Sequence, residues 1–275
     1  MDLAVVNTPI KSIYLTAEKN SELSDEILYG MSVKIINRIS NDKIYIKTEY
    51  DYEGYVDNND LLFDDKLISN WKCKRNAIVI NNFADILEKP NISSKIIKCL
   101  PLGSSIIATN IMSTDRNWCK VELVDSSTGW IKSSFLRYIE DIKKLILNET
   151  NFRESLINDS HLFLGTQYRW GGKTAFGIDC SGLCSMVYMI NGIKIYRDAK
   201  IKDNFPIKSI PIKKAKKGDL LFFPGHVAMY LGENKFIHSS NTNNIVRINS
   251  LNCWDDDYRE DLAKTLITAG TIFTN

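Results

Sequence analysis

The residues best suited to chemistry in this chain are Cys180 and two histidines that follow it, His226 and His238. Cys180 stands between Asp179 and Ser181, residue types that cap helix N-termini well, and an apolar run comes next. A thiol ordinarily titrates near pH ~8.5, and the partial positive charge of a helix N-terminus lowers that pKa. The sequence therefore predicts that Cys180 opens a helix and is a nucleophile in its thiolate form.

A cysteine nucleophile needs a base, and the base needs a polar neighbour that orients its ring. His226 and His238 lie in two strand-like segments joined by the turn Gly232-Glu-Asn, so a hairpin would bring their rings together. The residue types leave open which histidine is the base and which one orients it. A cysteine with two histidines could also begin a zinc site, but structural zinc takes four ligands, so we expect no metal and no cofactor.

Composition narrows the function further. The net charge of the 275 residues is +2 and the basic runs are short, which argues against a nucleic-acid partner. The other cysteines, at 73, 99, 119, 184 and 253, form no CxxC pair, and we expect them to be packing residues in a reducing compartment. His161 is expected on a helix surface.

The N-terminal segment has no basic region followed by a sustained apolar stretch, and no segment approaches the ~20 apolar residues of a membrane span. We therefore expect a cytoplasmic protein with no membrane partner, or a secreted one if Met1 is not the native start. We also expect a monomer.

The first half of the chain contains an internal repeat. The segment around Gly30 resembles the segment around Gly103, and each is followed by a short alternating strand and a second glycine, Gly54 or Gly129. Several short strands rich in Ile, Val, Tyr and Thr within about 65 residues predict a small β-barrel in each copy. The pattern resembles the bacterial SH3 module, SH3b, with one domain at residues 1–67 and another at 70–140.

The pattern changes in residues 150–275, where helices precede strands and predict an α+β domain. Asn151 and Glu154 have the spacing of a capping box for the first helix. The Cys180 helix is expected to end at Asn191-Gly192, and an antiparallel sheet that carries both histidines follows. The fold class is therefore multidomain, with two all-β barrels before an α+β domain.

Five motifs in this last domain resemble the NlpC/P60 cysteine peptidases, papain-like enzymes that act on bacterial cell-wall peptides. They are Tyr168-x-Trp170-Gly-Gly, Asp179-Cys-Ser-Gly-Leu183, Gly218-Asp-Leu220, Gly225-His-Val-Ala-Met-Tyr230 and Ile237-His-Ser-Ser240. With two SH3b domains in front, the chain resembles the γ-D-glutamyl-L-diamino acid endopeptidases of murein peptide recycling. The resemblance implies a papain-like fold for the catalytic domain.

The resemblance also implies catalytic roles. Cys180 attacks the γ-amide carbonyl after D-Glu, His226 takes the thiol proton, and His238 orients His226. The oxyanion that develops needs donors, for which the backbone N–H of Cys180 and the hydroxyl of Tyr168 are the candidates. Trp170 is expected in the wall of the site.

Substrate-binding residues follow from the same resemblance. Members that recycle murein peptides require a free N-terminal L-Ala, and Asp179, Ser181, Arg197 and Asp198 fall beside the site. In the first SH3b domain the matching residues are Glu22 and Tyr52, with Glu18 and Glu26 as alternatives to Glu22. The sequence departs from the family after Asp198, where Ala199-Lys-Ile-Lys-Asp203 replaces the usual hydroxyl residue and Gln.

These observations favour a peptidase that cleaves the bond between γ-D-Glu and L-Lys or meso-diaminopimelate in murein peptides with a free N-terminal L-Ala. Two alternatives remain at this stage. One is a broader wall hydrolase, an endopeptidase or amidase, that uses SH3b domains as wall anchors. The other is a non-catalytic wall-binding protein.

Overall fold

A computed structural model describes residues 3–273, and the chain divides into two compact units, Met1–Ile142 and Lys143–Asn275. The first unit is almost entirely β. Its strands are β1 Leu3–Val6, β2 Ile10–Tyr14, β3 Leu23–Leu28, β4 Ser32–Arg38, β5 Lys43–Thr48, β6 Glu53–Asp57, β7 Leu61–Leu62, β8 Ala77–Val79, β9 Phe83–Leu87, β10 Ile96–Pro101, β11 Ser105–Met112, β12 Trp118–Glu122, β13 Thr128–Lys132 and β14 Leu136–Tyr138. One helix, α1 Asp65–Lys74, separates β7 from β8.

These strands form two seven-stranded sheets with one connectivity. The order is β3-β2-β6-β5-β4-β1-β7 in the first sheet and β10-β9-β13-β12-β11-β8-β14 in the second, so each strand has a counterpart seven places later. The repeated glycines also match: Gly30 and Gly103 both have positive φ, 76° and 91°. A Cβ on Gly54 or Gly129 would stand 2.4 Å from an isoleucine methyl of the same sheet, so both positions require glycine. The predicted duplication is confirmed.

Helix α1 and the two sheets share one hydrophobic core. Asp64 caps α1 by accepting hydrogen bonds from two backbone N–H groups of its first turn. The helix buries Trp71, whose indole Nε1–H donates to the Gly30 carbonyl at 2.9 Å. Tyr29 crosses to the second sheet, where its hydroxyl accepts from the Val124 N–H at 2.7 Å. The two copies of the repeat are therefore packed against each other within this unit.

The second unit combines helices with one antiparallel sheet. Its helices are α3 Glu149–His161, α4 Cys180–Ile190 and α5 Glu260–Thr265, and α2 Ile139–Ile146 spans the division between the units. Its strands are β15 Lys173–Thr174, β16 Gly177–Ile178, β17 Lys208–Ile210, β18 Leu220–Phe223, β19 His226–Gly232, β20 Lys235–Ser240, β21 Ile245–Ser250 and β22 Thr268–Thr271. The main sheet has the order β17-β22-β18-β19-β20-β21. None of the helices described between residues 3 and 273 is long and apolar enough to cross a membrane.

Helix α4 is the buried centre of this unit. Ten of its eleven residues are buried, and it ends at Asn191 before Gly192, whose φ is 83°, as predicted. Helix α3 packs on it: the rings of Phe152 and Tyr188 meet edge to face at 6.5 Å. The Tyr188 hydroxyl donates to the Gly218 carbonyl at 2.7 Å, which ties α4 to the segment that leads into β18. The C-terminal end of α4 is thereby held against α3 and the segment before β18.

The predicted capping box at Asn151 is wrong. The N-cap of α3 is Asn148, whose side-chain oxygen accepts from the Asn151 N–H at 3.0 Å. The helix therefore begins three residues earlier, with Glu149 in its first turn, because Asn148 is an equally good cap and Asn151 is compatible with a helical position.

Candidate active site

Cys180 is the first residue of α4, as the sequence predicts. Asp179 is the N-cap, and its Oδ1 accepts from the Gly182 N–H at 2.6 Å. Residues that precede the cap form a glycine turn that approaches the helix closely: a Cβ on Gly182 would lie 2.3 Å from the Gly172 carbonyl oxygen. Neither glycine of this pair tolerates a side chain, because a Cβ on Gly172 would stand 2.4 Å from the Gly177 carbonyl oxygen. The cysteine is thus fixed in place by a tight turn and a capped helix.

Arg197 lies under this helix start and is only 2% exposed. Its Nη1 donates to Asp179 Oδ1 at 3.0 Å and to Ser181 Oγ at 2.8 Å, and its Nη2 donates to Asp179 Oδ2 at 2.9 Å. Asp179 Oδ2 also accepts from the Gly171 N–H at 2.9 Å. The sequence analysis predicts that Asp179, Ser181 and Arg197 bind substrate, and this stays a prediction. In the structure their polar atoms bond to one another and to the backbone around the start of the Cys180 helix.

His226 and His238 are brought together by the predicted hairpin. Met229 pairs with Ile237 in the ladder of β19 and β20, which makes the two histidines diagonal neighbours on one face. His226 Nε2 lies 2.8 Å from His238 Nδ1. His238 is 1% exposed and contacts Asn249 Oδ1 through Nε2 at 3.1 Å, so both of its ring nitrogens are occupied.

The thiol of Cys180 lies at the start of β19. The backbone N–H of Val227, the residue after His226, helps to lower the pKa of the Cys180 thiol, and so does the backbone N–H of Ser181. The start of β19, which carries His226, is therefore near the sulfur, whereas both ring nitrogens of His238 already have partners. This favours His226 as the base and His238 as the residue that orients it, and the order stays a prediction.

Burial governs the protonation of this pair. Burial and then the charge of Asp179 raise the pKa of the Cys180 thiol to about 11, while the N–H groups of Val227 and Ser181 and the charge of Arg197 lower it. Burial and then the charge of Arg259 lower the pKa of His226 to about 4. Burial therefore acts against the predicted thiolate and favours a neutral thiol beside a neutral imidazole. The thiolate form of Cys180 stays a prediction.

Tyr168 and Trp170 differ in their surroundings. Tyr168 is half-buried, and burial raises the pKa of its phenol above the ordinary value, with smaller increases from Cys180 when it is ionised and from Asp179. Its hydroxyl therefore stays protonated and can donate. The side chain of Trp170 is 61% exposed, so it lies at the surface and any role in the wall of the site is as an exposed rim.

Asp198 lines a small pocket that adjoins the helix start. Other lining residues are Ser181, Cys184, Tyr196, Lys202 and Phe205. Asp198 raises the pKa of Tyr196 to about 12, after the larger effect of burial, through its charge and a hydrogen bond. The Lys202 ammonium lies over the Tyr196 ring at 4.3 Å. Asp198 thus lines a pocket that Ser181, the residue after the nucleophile, also lines.

Glu22 and Tyr52 belong to the first unit. Glu22 is exposed just before β3, and the Tyr52 hydroxyl donates to the Ser24 carbonyl at 3.4 Å. Of the two alternatives to Glu22, Glu18 is exposed, whereas Glu26 is only 3% exposed within β3. Their relation to substrate remains a prediction.

Asn249 is a polar neighbour of His238 that the sequence analysis did not identify. It lies on β21 opposite Phe236 of β20, and its side chain is 2% exposed. The sequence offers only a weak indication of this role, because Asn249 is a polar residue at an inward-facing position of a strand with alternating polarity. Among residues 3–273, no group of three or more His, Cys, Asp or Glu is arranged to hold a metal ion.

Comparisons with known proteins place this geometry in a family. The profile of the NlpC/P60 family matches residues 165–262, which include Cys180, His226 and His238. The chain is 43% identical over 271 residues to dipeptidyl-peptidase 6 of Lysinibacillus sphaericus, an alignment that covers 98% of this chain and 99% of that one. It is 38% identical over 143 residues to the gamma-D-glutamyl-L-lysine dipeptidyl-peptidase of Bacillus subtilis strain 168, covering 47% of each chain.

The crystal structure of an NlpC/P60 family protein from Bacillus cereus ATCC 10987 has the same fold. It superposes with a TM-score of 0.80 at 19% identity and covers 97% of this chain and 98% of that one. Similarity along the whole chain, together with a cysteine at a helix start beside paired histidines, leads to one assignment. The chain belongs to the NlpC/P60 family and is a cysteine peptidase related to peptidoglycan endopeptidases.

Proposed function

We propose that this enzyme hydrolyses the bond between γ-D-Glu and an L-diamino acid, L-Lys or meso-diaminopimelate, in murein peptides that carry a free N-terminal L-Ala. The observation that carries the proposal is the full-length similarity to a dipeptidyl-peptidase, 43% identity over 99% of that relative. A dipeptidyl-peptidase releases two residues from a free N-terminus. The B. subtilis relative is named for the γ-D-glutamyl-L-lysine bond, which supports L-Ala-γ-D-Glu as the released dipeptide.

The chemistry begins with a proton transfer. The Cys180 sulfur attacks the γ-carbonyl carbon of D-Glu while His226 takes the thiol proton, because both groups are neutral at rest. His226 then gives this proton to the leaving amine of the diamino acid, and a thioester with Cys180 remains. A water molecule, deprotonated by His226, hydrolyses the thioester and restores the thiol. His238 orients His226 throughout.

The tetrahedral intermediates carry a negative oxygen that needs donors. We assign the backbone N–H of Cys180 at the N-terminus of α4 and the hydroxyl of Tyr168 to this oxyanion. The support for Tyr168 is the raised pKa of its phenol, caused first by burial and then by Cys180 and Asp179 nearby, which keeps the hydroxyl protonated. One such donor contributes on the order of 3 kcal/mol to transition-state stabilisation.

Selectivity for a free N-terminus requires an anion that meets the ammonium of L-Ala. Asp198 is our candidate in the catalytic unit, since it lines the pocket beside Ser181 and Cys184. The two seven-stranded sheets are our candidates for SH3b domains, at residues 1–67 and 70–140. Glu22 and Tyr52 of the first stay predicted substrate-binding residues.

We further propose that the protein acts as a monomer on free peptides in the cytoplasm, with no nucleic-acid or membrane partner. Recycling of released peptides needs no attachment to the wall. The even balance of charge is consistent with this, because the net charge is +2 and the basic runs are short.

The test is to incubate the enzyme with L-Ala-γ-D-Glu-L-Lys and with its meso-diaminopimelate counterpart, and to identify the products by mass. We expect L-Ala-γ-D-Glu and the free diamino acid, and no product from Cys180→Ala. Cys253→Ala is the matched control at an exposed cysteine of the same unit, and it should retain kcat. Two intact peptides would refute the specificity, and release of fragments from intact murein alone would favour the broader wall hydrolase.

A further inference from the structure

We propose that Asn249 is a positioning residue that fixes the protons of both histidines and leaves the Nδ1 atom of His226 as the acceptor for the Cys180 proton. The inference rests on the roles proposed for Cys180, His226 and His238, but it does not depend on which peptide is the substrate.

The amide of Asn249 has only one orientation that satisfies its neighbours. Its Nδ2 donates to the backbone carbonyl of Asp257 at 2.7 Å, and a carbonyl can only accept. Its Oδ1 therefore faces His238 Nε2, at 3.1 Å. An amide oxygen also can only accept, so Nε2 of His238 must carry a hydrogen. Both side chains are buried, at 2% and 1% exposure, so bulk water does not replace this bond.

The hydrogen on Nε2 of His238 also determines the tautomer of His226. Burial lowers the pKa of His238 to about 3, so its ring is neutral at physiological pH and has one N–H, on Nε2. Its Nδ1 is then an acceptor and takes the hydrogen of His226 Nε2, 2.8 Å away. A neutral His226 protonated on Nε2 has its lone pair on Nδ1. That nitrogen is the one left to receive the thiol proton.

The sheet and a short loop hold Asn249 in this position. Asn249 pairs with Phe236 in the ladder of β20 and β21, which puts it on the same face as His238, two residues along the neighbouring strand. The loop that supplies its acceptor is anchored by Lys235, whose ammonium contacts Asp255 at 2.9 Å and Asp257 at 2.6 Å. The carbonyl of Asp257 is thereby fixed.

A neutral amide suits the charges around the pair. Arg247 stands opposite His238 in the ladder, and the charges of Arg247 and Arg259 both lower the pKa of His238. Asp261 and Asp179 act on His226 in the opposite direction. A carboxylate at position 249 would attract a second proton to His238, whereas an amide accepts a hydrogen bond without doing so.

The direct test is the nitrogen chemical shifts of the imidazoles in the wild-type chain labelled with ¹⁵N-histidine at pH 7. The sequence contains three histidines, so assignment needs only single variants. We expect His226 and His238 both to be neutral and protonated on Nε2. A His238 protonated on Nδ1, or doubly protonated, would overturn the proposal.

Variants add a functional readout. Asn249→Leu should lower both kcat/KM and the rate of Cys180 alkylation by iodoacetamide by ~10²-fold or more, since the wrong tautomer removes the base. Asn252→Leu is the matched control, because Asn252 bonds to Asp255 in the same loop, and we expect changes below threefold. Rates for Asn249→Leu within threefold of wild type would refute the role.

Asn249→Asp separates positioning from a merely structural role. The carboxylate keeps the acceptor and adds a negative charge, which raises the pKa of the histidine pair. The acid limb of the kcat/KM profile should therefore move to higher pH, and an unmoved limb would contradict the proposal. This variant also decides the matter if Asn249→Leu does not fold. Alkylation needs no peptide, so it tests this inference separately from the proposed substrate. If wild type does not cleave the tripeptide but Asn249→Leu still loses reactivity toward iodoacetamide, the proposed substrate is refuted and this inference stands.

Discussion

The guanidinium of Arg197 donates hydrogen bonds to both carboxylate oxygens of Asp179, at 3.0 and 2.9 Å. Asp179 directly precedes the nucleophile, Cys180. The two residues are 18 positions apart, and both are buried. Asp179 in turn caps the helix that begins with Cys180. The position of the sulfur is therefore set by an ion pair that does not touch it.

We expect Arg197→Lys to lower both stability and kcat/KM. An ammonium cannot form the planar two-bond contact with Asp179 and also reach Ser181, so bonds inside a buried network are lost. Disrupting a buried pair costs about 3–5 kcal/mol, which urea unfolding would detect. Lys264→Met is the control, since it breaks an exposed pair with Glu260 and should leave the free energy of unfolding almost unchanged. Equal losses in the two variants would contradict the account.

Tyr168→Phe should slow the formation of the thioester by ~10²-fold, because one oxyanion donor is removed. Its unfolding free energy should change little, since the side chain is only half-buried. The measurement is the rate of acylation in single turnover. Tyr230→Phe is the control: it removes a β19 hydroxyl that accepts from the Asn234 N–H at 3.3 Å, and it should react at the wild-type rate. An unchanged rate in Tyr168→Phe would remove that residue from the oxyanion site.

The acid limb of kcat/KM should lie well below pH 6.5. Catalysis needs neutral His226, and burial lowers the pKa of that imidazole to about 4, so the active form persists as the pH falls from 7 to 5. The profile should be measured with a substrate whose own groups do not titrate in this range. Half-maximal activity near pH 6.5 would show that burial does not control His226.

Stability should depend on pH in the same window. The pKa values of folded His226 and His238 are about 4 and about 3, below the ~6.5 of an unfolded chain, so the unfolded state binds more protons between these values. The contribution is fully present above pH 6.5 and is lost as the pH falls toward 4. At pH 5 each histidine should cost about 2 kcal/mol relative to pH 7, measured by urea unfolding. In His238→Asn the dependence should be about half as steep; an equally steep dependence would contradict the assignment.

Local patterns in the sequence predict much of the site. Asp179 and the apolar run after it predict a helix that begins at Cys180, and the turn after Gly232 predicts the hairpin that pairs the histidines. The repeated glycines predict the duplication, because each one stands where the backbone has a positive φ or where another group comes too close for a Cβ. These signals depend on neighbours in the chain.

Other features depend on packing between distant segments, which no local pattern reveals. Arg197 resembles a substrate-binding residue in sequence, yet it lies beneath the helix start because the loop after α4 folds back under it. The raised pKa of the Cys180 thiol follows from burial, the largest influence on it, which comes from distant segments. Asn249 reaches His238 only through the register of β20 and β21.

The central claim is that this peptidase removes a dipeptide from a free N-terminus. The most direct measurement compares kcat/KM for L-Ala-γ-D-Glu-L-Lys with kcat/KM for the same peptide acetylated on its N-terminal amine. Acetylation removes the positive charge that Asp198 is proposed to meet, so we expect cleavage to fall by at least ~10²-fold, and Asp198→Asn should lower cleavage of the free peptide alone. Equal cleavage of the two peptides would contradict the claim.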